Sequence, residues 1–342
     1  MPTVRPRPDK SLVRRAFTLS VLFSLLLAAA SAQVSIRANR VSEIPLLKPG
    51  SSWTAHGVFN PAAVSIGRKT ILLFRATDAS DVSSIGYAES DDGIHFHADP
   101  EPVLQGETAY EKPGGVEDPR IVRIDGIYYL TYTGYNRKDA QLCLATSPDL
   151  RHWERKGVIL PAYKGTWNTQ WTKSGAIVPQ KIDGKWWMYY LGTSDGPDGV
   201  RRDKMGLAVS SDLIHWSDAT DKPVLDVHPH TFDSRVMEPG PPPIVTPRGI
   251  LLLYNGADDK LVYRPAWALF DLHDPTRLIA RAPAPFIEPK LPWERAGAVP
   301  NVIFLEGAVS RSDSSPNNID LTGYYGAADR YIGAMRIQIG IK

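Results

Sequence analysis

Apolar residues in this chain come in short aromatic or β-branched runs, each opened by a glycine turn. Gly126-Ile127-Tyr128-Tyr129-Leu130-Thr131-Tyr132-Thr133-Gly134 is the clearest, and Gly67 to Arg75, Gly184 to Gly192 and Gly249 to Gly256 repeat it. Such runs, bounded by turn residues, read as strands leaving hairpin turns. The first three are each followed by a second repeated element. Ser90-Asp91-Asp92-Gly93-Ile94-His95-Phe96, Ser147-Pro148-Asp149-Leu150-Arg151-His152-Trp153 and Ser210-Ser211-Asp212-Leu213-Ile214-His215-Trp216 share one pattern, with serines 57 and 63 residues apart. A weaker fourth copy runs from Trp267 to Pro275, and a last strand unit from Leu321 to Asp329. This period predicts five units of roughly sixty residues, each with about four strands. The expected fold is all-β, a five-bladed β-propeller, because radial repetition leaves only short, protected edges. At fixed turn positions, His95, His152 and His215 are expected as packing devices rather than ligands.

Residues 1–32 stand outside that pattern. A basic segment (Arg5, Arg7, Lys10, Arg14, Arg15), an apolar stretch from Ala16 to Ala30 and the small residues Ala30-Ser31-Ala32 predict a secretory signal peptide. Arg14-Arg15-Ala16-Phe17 partly matches a twin-arginine signal, and a retained N-terminal anchor is the alternative. The expected location is therefore secreted or periplasmic, with residues 33–342 forming one catalytic domain and no membrane contact after cleavage. The formal net charge is +2, which points to no nucleic-acid partner. The single cysteine, Cys143, excludes an intrachain disulfide. No metal-ligand spacing, phosphate-binding glycine loop or serine elbow appears, so no metal or cofactor is expected. Oligomeric state is not readable.

Candidate chemistry centres on Gly115-Val116-Glu117-Asp118-Pro119-Arg120, just ahead of the clearest strand pair. Proline after Asp118 is expected to hold it extended. An acid there beside a cation suits proton transfer, with a loop ion pair to Arg120 as the plainer reading. The same position in the other units is Asn60, Lys173, Glu238 and the segment Ala298-Val299-Pro300-Asn301. In a propeller these would meet at one end of the axis, with Arg75, Asp78 and Asp329 at the rim and Tyr132 on the strand behind. Two carboxylates flanking a cavity suit glycoside cleavage. A water-filled channel with structural ion pairs is the competing account. Trp53, Trp167 and Trp171 sit in polar loops, where they pack locally or stack on a sugar ring.

Asn60-Pro61, Phe74-Arg75-Ala76, Gly115 to Arg120, Lys173-Ser174-Gly175-Ala176, Gly240 to Ile244 with Tyr254 to Ala257, and Tyr325 to Asp329 resemble glycoside hydrolase family 130. That family comprises β-mannoside phosphorylases and β-1,2-mannosidases on a five-bladed propeller, and the resemblance covers nearly the whole chain after the leader. It implies an oligosaccharide substrate and Asp118 as general acid, passing its proton through a mannosyl hydroxyl. It also implies that Asn60, Arg75 and Asp329 hold that mannosyl unit. Glu117, Arg120, Trp171 and Lys173 are carried as further binding candidates. Glu238 falls where a hydrolase of the family carries a water-activating glutamate, Lys173 is closer to a phosphorylase feature, and Gln180 falls where a second hydrolase glutamate is expected. The export signal and Glu238 favour inverting hydrolysis of β-1,2-linked manno-oligosaccharides, with carboxyls roughly 6.5–9.5 Å apart. The alternative is phosphorolysis, with inorganic phosphate as co-substrate and mannose 1-phosphate as product. A non-catalytic carbohydrate-binding propeller is less favoured. Arabinanase-like propellers place a carboxylate where this chain has Asn60.

Overall fold

The computed structural model describes residues 1, 34–163, 165–312 and 314–342. The leader expected over residues 1–32 lies, beyond Met1, outside the described residues. The described chain is built of strands joined by turns and loops, with almost no helix. After β1 (Val34–Arg40), the first unit is β2 (Gly57–Ile66), β3 (Lys69–Thr77) and β4 (Ser83–Ser90), with short β5 (His97–Ala98) and β6 (Leu104–Gln105) paired to β4. The second is β7 (Gly115–Ile124), β8 (Ile127–Tyr135), β9 (Ala140–Ser147) and β10 (Glu154–Leu160). The third is β11 (Thr172–Ile177), β12 (Trp186–Asp195), β13 (Arg201–Ser210) and β14 (Ser217–Asp218). The fourth is β15 (Val236–Pro239), β16 (Ile244–Thr246), β17 (Gly249–Ala257), β18 (Tyr263–Phe270) and β19 (Leu278–Arg281). A short helix, α1 (Pro292–Arg295), precedes β20 (Ile303–Ser310), β21 (Asn318–Ala327) and β22 (Tyr331–Ile341), and β1 pairs antiparallel with β22.

Pairing inside every unit is antiparallel. Parallel bridges Ser83↔Gly115 and Asp203↔Val236 join the first two units and the next two, giving three sheets. None of the three closes on itself. The hairpins are local. Asp125–Gly126 has φ of 48° and 86°, and Asp183–Gly184 has 49° and 76°. Two left-handed residues in a row match the twist of the flanking strands, and Asp-Gly supplies them at little steric cost.

The core is divided into clusters, each lying between neighbouring units. Ile71 and Leu73 pack with Val116, Ile121 and Leu130 of the second unit. Leu72 and Phe74, one step along the same strand, pack with Tyr324, Ile332 and Ala334 of the last. Successive side chains of a strand point to opposite faces, so β3 buries both. That explains the continuous run Leu72-Leu73-Phe74, each of whose side chains contributes about 1.5–3 kcal/mol when buried.

The three serine turns carry one hydrogen-bond pattern. Asp92 Oδ1 accepts the backbone N–H of Ile94 (2.9 Å) and His95 (2.8 Å), and Ser90 Oγ accepts that of Gly93 (2.9 Å). Asp149 and Asp212 repeat it with His152 and His215. The histidine side chains are 86–88% exposed, so they cap turns rather than pack. Packing falls to Trp153 and Trp216, whose indole N–H groups donate to the Leu150 and Leu213 carbonyls.

Candidate active site

The first strand of each unit is interrupted at a corresponding place. Register shifts occur in β2 between Phe59 and Pro61, in β7 between Glu117 and Arg120, in β11 between Lys173 and Ala176, and in β20 between Leu305 and Gly307. In the fourth unit β15 ends at Pro239 and pairing to β17 resumes at Ile244, with three prolines between. A bulge leaves a residue unpaired and re-aims its side chain. Asn60, Asp118 and Ser174 accordingly have φ of 48°, 50° and 59°. Asp118 is thus not in the extended conformation expected from Pro119. The bulge demands a left-handed residue, and Asp and Asn tolerate that better than most.

These interruptions surround a cavity of about 190 Å³. Asn60, Arg75, Asp118, Lys173, Glu238 and Asp329 line it together, with Leu261, Tyr263, Val299, Val302 and Phe304 as the apolar wall. Asp118 Oδ1 accepts from Asn60 Nδ2 at 2.8 Å and from Arg75 Nη1 at 3.1 Å. Lys173 Nζ stands 3.5 Å from Asp118 Oδ2. Arg75 also donates to Glu117 Oε1 at 2.7 Å, and its guanidinium lies over the Phe59 ring. Ser174 Oγ hydrogen-bonds Glu238.

The carboxyl groups are tuned apart. Burial alone would push Asp118 up, but Arg75, Lys173 and the Asn60 hydrogen bond outweigh it and hold it well below the usual range. Burial would lower Lys173, yet Asp118, Glu238 and Glu117 keep it firmly protonated. Glu238 moves the other way: burial raises it, against Lys173 and Arg120. Asp329 is pushed up to about 6, again chiefly by burial. One cavity therefore holds one firmly ionised carboxylate and two carboxyls with a raised affinity for protons.

Several expected residues lie elsewhere. Glu117 is buried behind Arg75 and does not line the cavity. Arg120 is 1% exposed and does not line the cavity; it donates to main-chain carbonyls. Asp78 accepts the N–H of Ser80 and Val82 and closes a turn. Tyr132 is buried between the first two units and donates to Glu111 at 2.8 Å. Trp171 is capped by the Arg201 guanidinium, 3.9 Å from its ring, and packs edge-on to Tyr135. Gln180 is exposed beyond the far end of β11. Trp53 stacks on Phe74 and Trp167 packs on Tyr190, which takes both out of the cavity.

Sequence reasoning missed Tyr263 and Phe304, ordinary strand residues, and Leu261 in the loop before β18. It also missed Glu306, fully buried on β20. A lone acid inside Ile303-Phe304-Leu305-Glu306-Gly307 was the available signal. Among the described residues no group of three or more His, Cys, Asp or Glu is placed to hold a metal ion.

The family model described as beta-1,4-mannooligosaccharide phosphorylase, glycoside hydrolase family 130, matches residues 34–340. The chain belongs to glycoside hydrolase family 130. Two curated relatives of this family-130 enzyme come from Thermoanaerobacter sp. One, named 1,2-beta-oligomannan phosphorylase, is 39% identical over 89% of this chain and 98% of its own length. The other, named Beta-1,2-mannobiose phosphorylase, is 37% identical over 88% and 97%. A solved structure described by the words "The GH130 family of mannoside phosphorylases contains glycoside hydrolases that target beta-1,2 mannosidic linkages in Candida mannan" superposes with a TM-score of 0.77. It is 34% identical over 91% of this chain and 95% of that one.

Proposed function

We propose that this family-130 enzyme is a β-mannoside phosphorylase acting on β-1,2-linked manno-oligosaccharides, with inorganic phosphate as co-substrate. The five antiparallel units are read as blades of one propeller over residues 33–342, with the cavity at one end of its axis. Contact of the first unit with the last through Leu72, Phe74 and Tyr324 supports that reading. In the reaction the C1–O bond to the leaving sugar breaks, a bond from C1 to a phosphate oxygen forms, and the leaving oxygen takes a proton. Asp118 supplies that proton through a hydroxyl of the bound mannosyl unit, which Asn60, Arg75 and Asp329 hold.

The observation that carries this reading over hydrolysis is Lys173, which lines the cavity 3.5 Å from Asp118 and interacts with the charges of both Asp118 and Glu238. An arriving phosphate competes for its charge. That removes one of the three cations holding Asp118 ionised and raises its affinity for the proton it must deliver. Burial raises the proton affinity of Glu238, and in its protonated form it would donate a hydrogen bond to phosphate instead of repelling it. The two phosphorylases at 39% and 37% identity support the same choice.

Hydrolysis stands as the second reading because Glu238 lines the cavity and, once ionised, is a base for water. The test is product analysis on β-1,2-mannobiose with and without phosphate. Phosphorolysis gives mannose 1-phosphate only with phosphate, and Lys173→Met raises the phosphate KM at least about tenfold, the scale of one charge-assisted contact. Mannose released equally in both conditions sinks this reading in favour of hydrolysis. Export through the leader over residues 1–32 remains part of the proposal, tested by sequencing the N-terminus of the mature protein.

A further inference from the structure

Arg120 spends its donors on two strands at once. Nη1 donates to the carbonyl of Asp118 at 3.1 Å. Nη2 donates to the carbonyl of Pro239 at 2.7 Å, and Nε to that of Gly240 at 3.2 Å. Asp118 is on β7, and Pro239 directly follows Glu238 on β15. These strands belong to different units, 120 residues apart, and no ladder hydrogen bond joins them. The same guanidinium stands 4.0 Å from Glu238 Oε1 and 3.4 Å from Glu306 Oε1. Glu306 is fully buried, and neither of its carboxyl oxygens has a hydrogen-bond partner.

A buried arginine is costly, and replacing a buried ion pair by apolar residues is often neutral or stabilising. Three carbonyls gathered by one rigid fork are a different matter, because a guanidinium fixes their relative geometry where a lysine does not. One of them is the carbonyl of Asp118 itself and another that of Pro239, next to Glu238, two of the residues whose carboxyl groups line the cavity.

We propose that Arg120 is a positioning residue for the reaction: it ties the Asp118 strand to the Glu238 strand and so sets the gap that admits the nucleophile. Glu306, on β20, stands 3.4 Å from Nη1 and holds the guanidinium against the three carbonyls. The inference rests on the proposed function's roles for Asp118 as proton donor and Glu238 as the carboxyl that faces the nucleophile. It needs neither phosphate nor water in particular.

The test measures kcat and KM for β-1,2-mannobiose, with thermal unfolding run beside them so that turnover is counted per folded molecule. Arg120→Lys keeps the charge and loses the fork. Its kcat should fall about 10- to 100-fold, the cost of misplacing reacting groups by about an ångström. Its mannobiose KM should stay within about threefold, because Asn60, Arg75 and Asp329 make no bond to Arg120. A folded Arg120→Lys enzyme with wild-type kcat overturns the proposal, and so does one in which KM rises as much as kcat falls. If Arg120→Lys does not fold, the paired variant Arg120→Met with Glu306→Leu decides. It removes the buried guanidinium together with the carboxyl beside it and should fold with kcat lowered by at least as much. Wild-type kcat in that variant, or failure of it too to fold, makes the pair purely structural and ends the inference. A wild-type enzyme that turns over no β-mannobiose with either nucleophile sinks the functional reading first and this inference with it.

Discussion

At the scale of single residues, the cavity works by contrast between neighbouring carboxyl groups. Asp118 meets two cations and a side-chain amide, whereas at Asp329 burial outweighs the same two cations. Asp118→Asn keeps shape and removes the proton donor. Turnover should fall at least about a hundredfold with little change in unfolding temperature. If the Asp118→Asn variant still cleaves unactivated β-mannobiose at near wild-type rate, Asp118 is structural. Asp329 yields a pH signature. Burial holds its carboxyl at about 6, so it releases its proton as pH rises through that value. The ionised form is an acceptor only and suits sugar hydroxyls. In the wild type kcat/KM should therefore climb through about pH 6, and in Asp329→Asn that limb should vanish as kcat/KM drops. A limb unchanged in the variant assigns the titration to another group.

At the scale of elements, bulges do what a regular strand does not. A regular β7 would place Asp118 in the ladder, with its side chain packed against a neighbouring unit. The extra residue turns it toward the cavity, and small residues on other strands make room for the turn. Gly326 on β21 is one such residue, opposite Phe304. A Cβ there would lie 2.2 Å from Asn60 Oδ1 and 2.7 Å from Asn60 N. Gly326→Ala must therefore displace Asn60 and weaken its bond to Asp118. We expect kcat/KM on mannobiose to fall about tenfold or more, with about 1–3 kcal/mol of stability lost to overpacking. Unchanged kinetics would show that Asn60 does not hold Asp118 in its working position.

At the scale of the whole molecule, the start of the described chain is fastened to its end. β1 pairs with β22, and Arg40 at the end of β1 reaches the carboxylate of Glu294 in α1, with Nε–Oε1 at 2.6 Å. Glu294 is fully buried and also accepts from Lys290 N, Leu291 N and Tyr325 Oη. Removing the cation leaves a buried charge only partly satisfied. Arg40→Met should cost about 3 kcal/mol in denaturant unfolding. A loss below about 1 kcal/mol would mean that the backbone and tyrosine donors suffice alone. The repeats carry no sign of this fastening, because β1 lies outside all of them and its partner strand is at the other end of the chain.

The strands and hairpins were legible because they are local: a glycine turn and an apolar run are enough to commit Gly126 to Gly134 or Gly184 to Gly192. The repeat of those signals fixed the all-β class and lined up Asn60, Asp118, Lys173 and Glu238. Side-chain direction was not legible. Arg120 and Tyr132 belong to the same motif and strand pair as cavity residues, yet bulge geometry and inter-unit packing turn them into carbonyl clamp and core. For Trp53, Trp167 and Trp171 the sequence left local packing and sugar stacking open, and the structure packs them against Phe74, Tyr190 and Arg201, from other strands. Glu306 had no visible role, because what it touches comes from another unit. Local pattern determined which segments are strands. Which face of each strand meets the cavity depends on one-residue register shifts and on contacts between distant segments, and only the tertiary structure decided those.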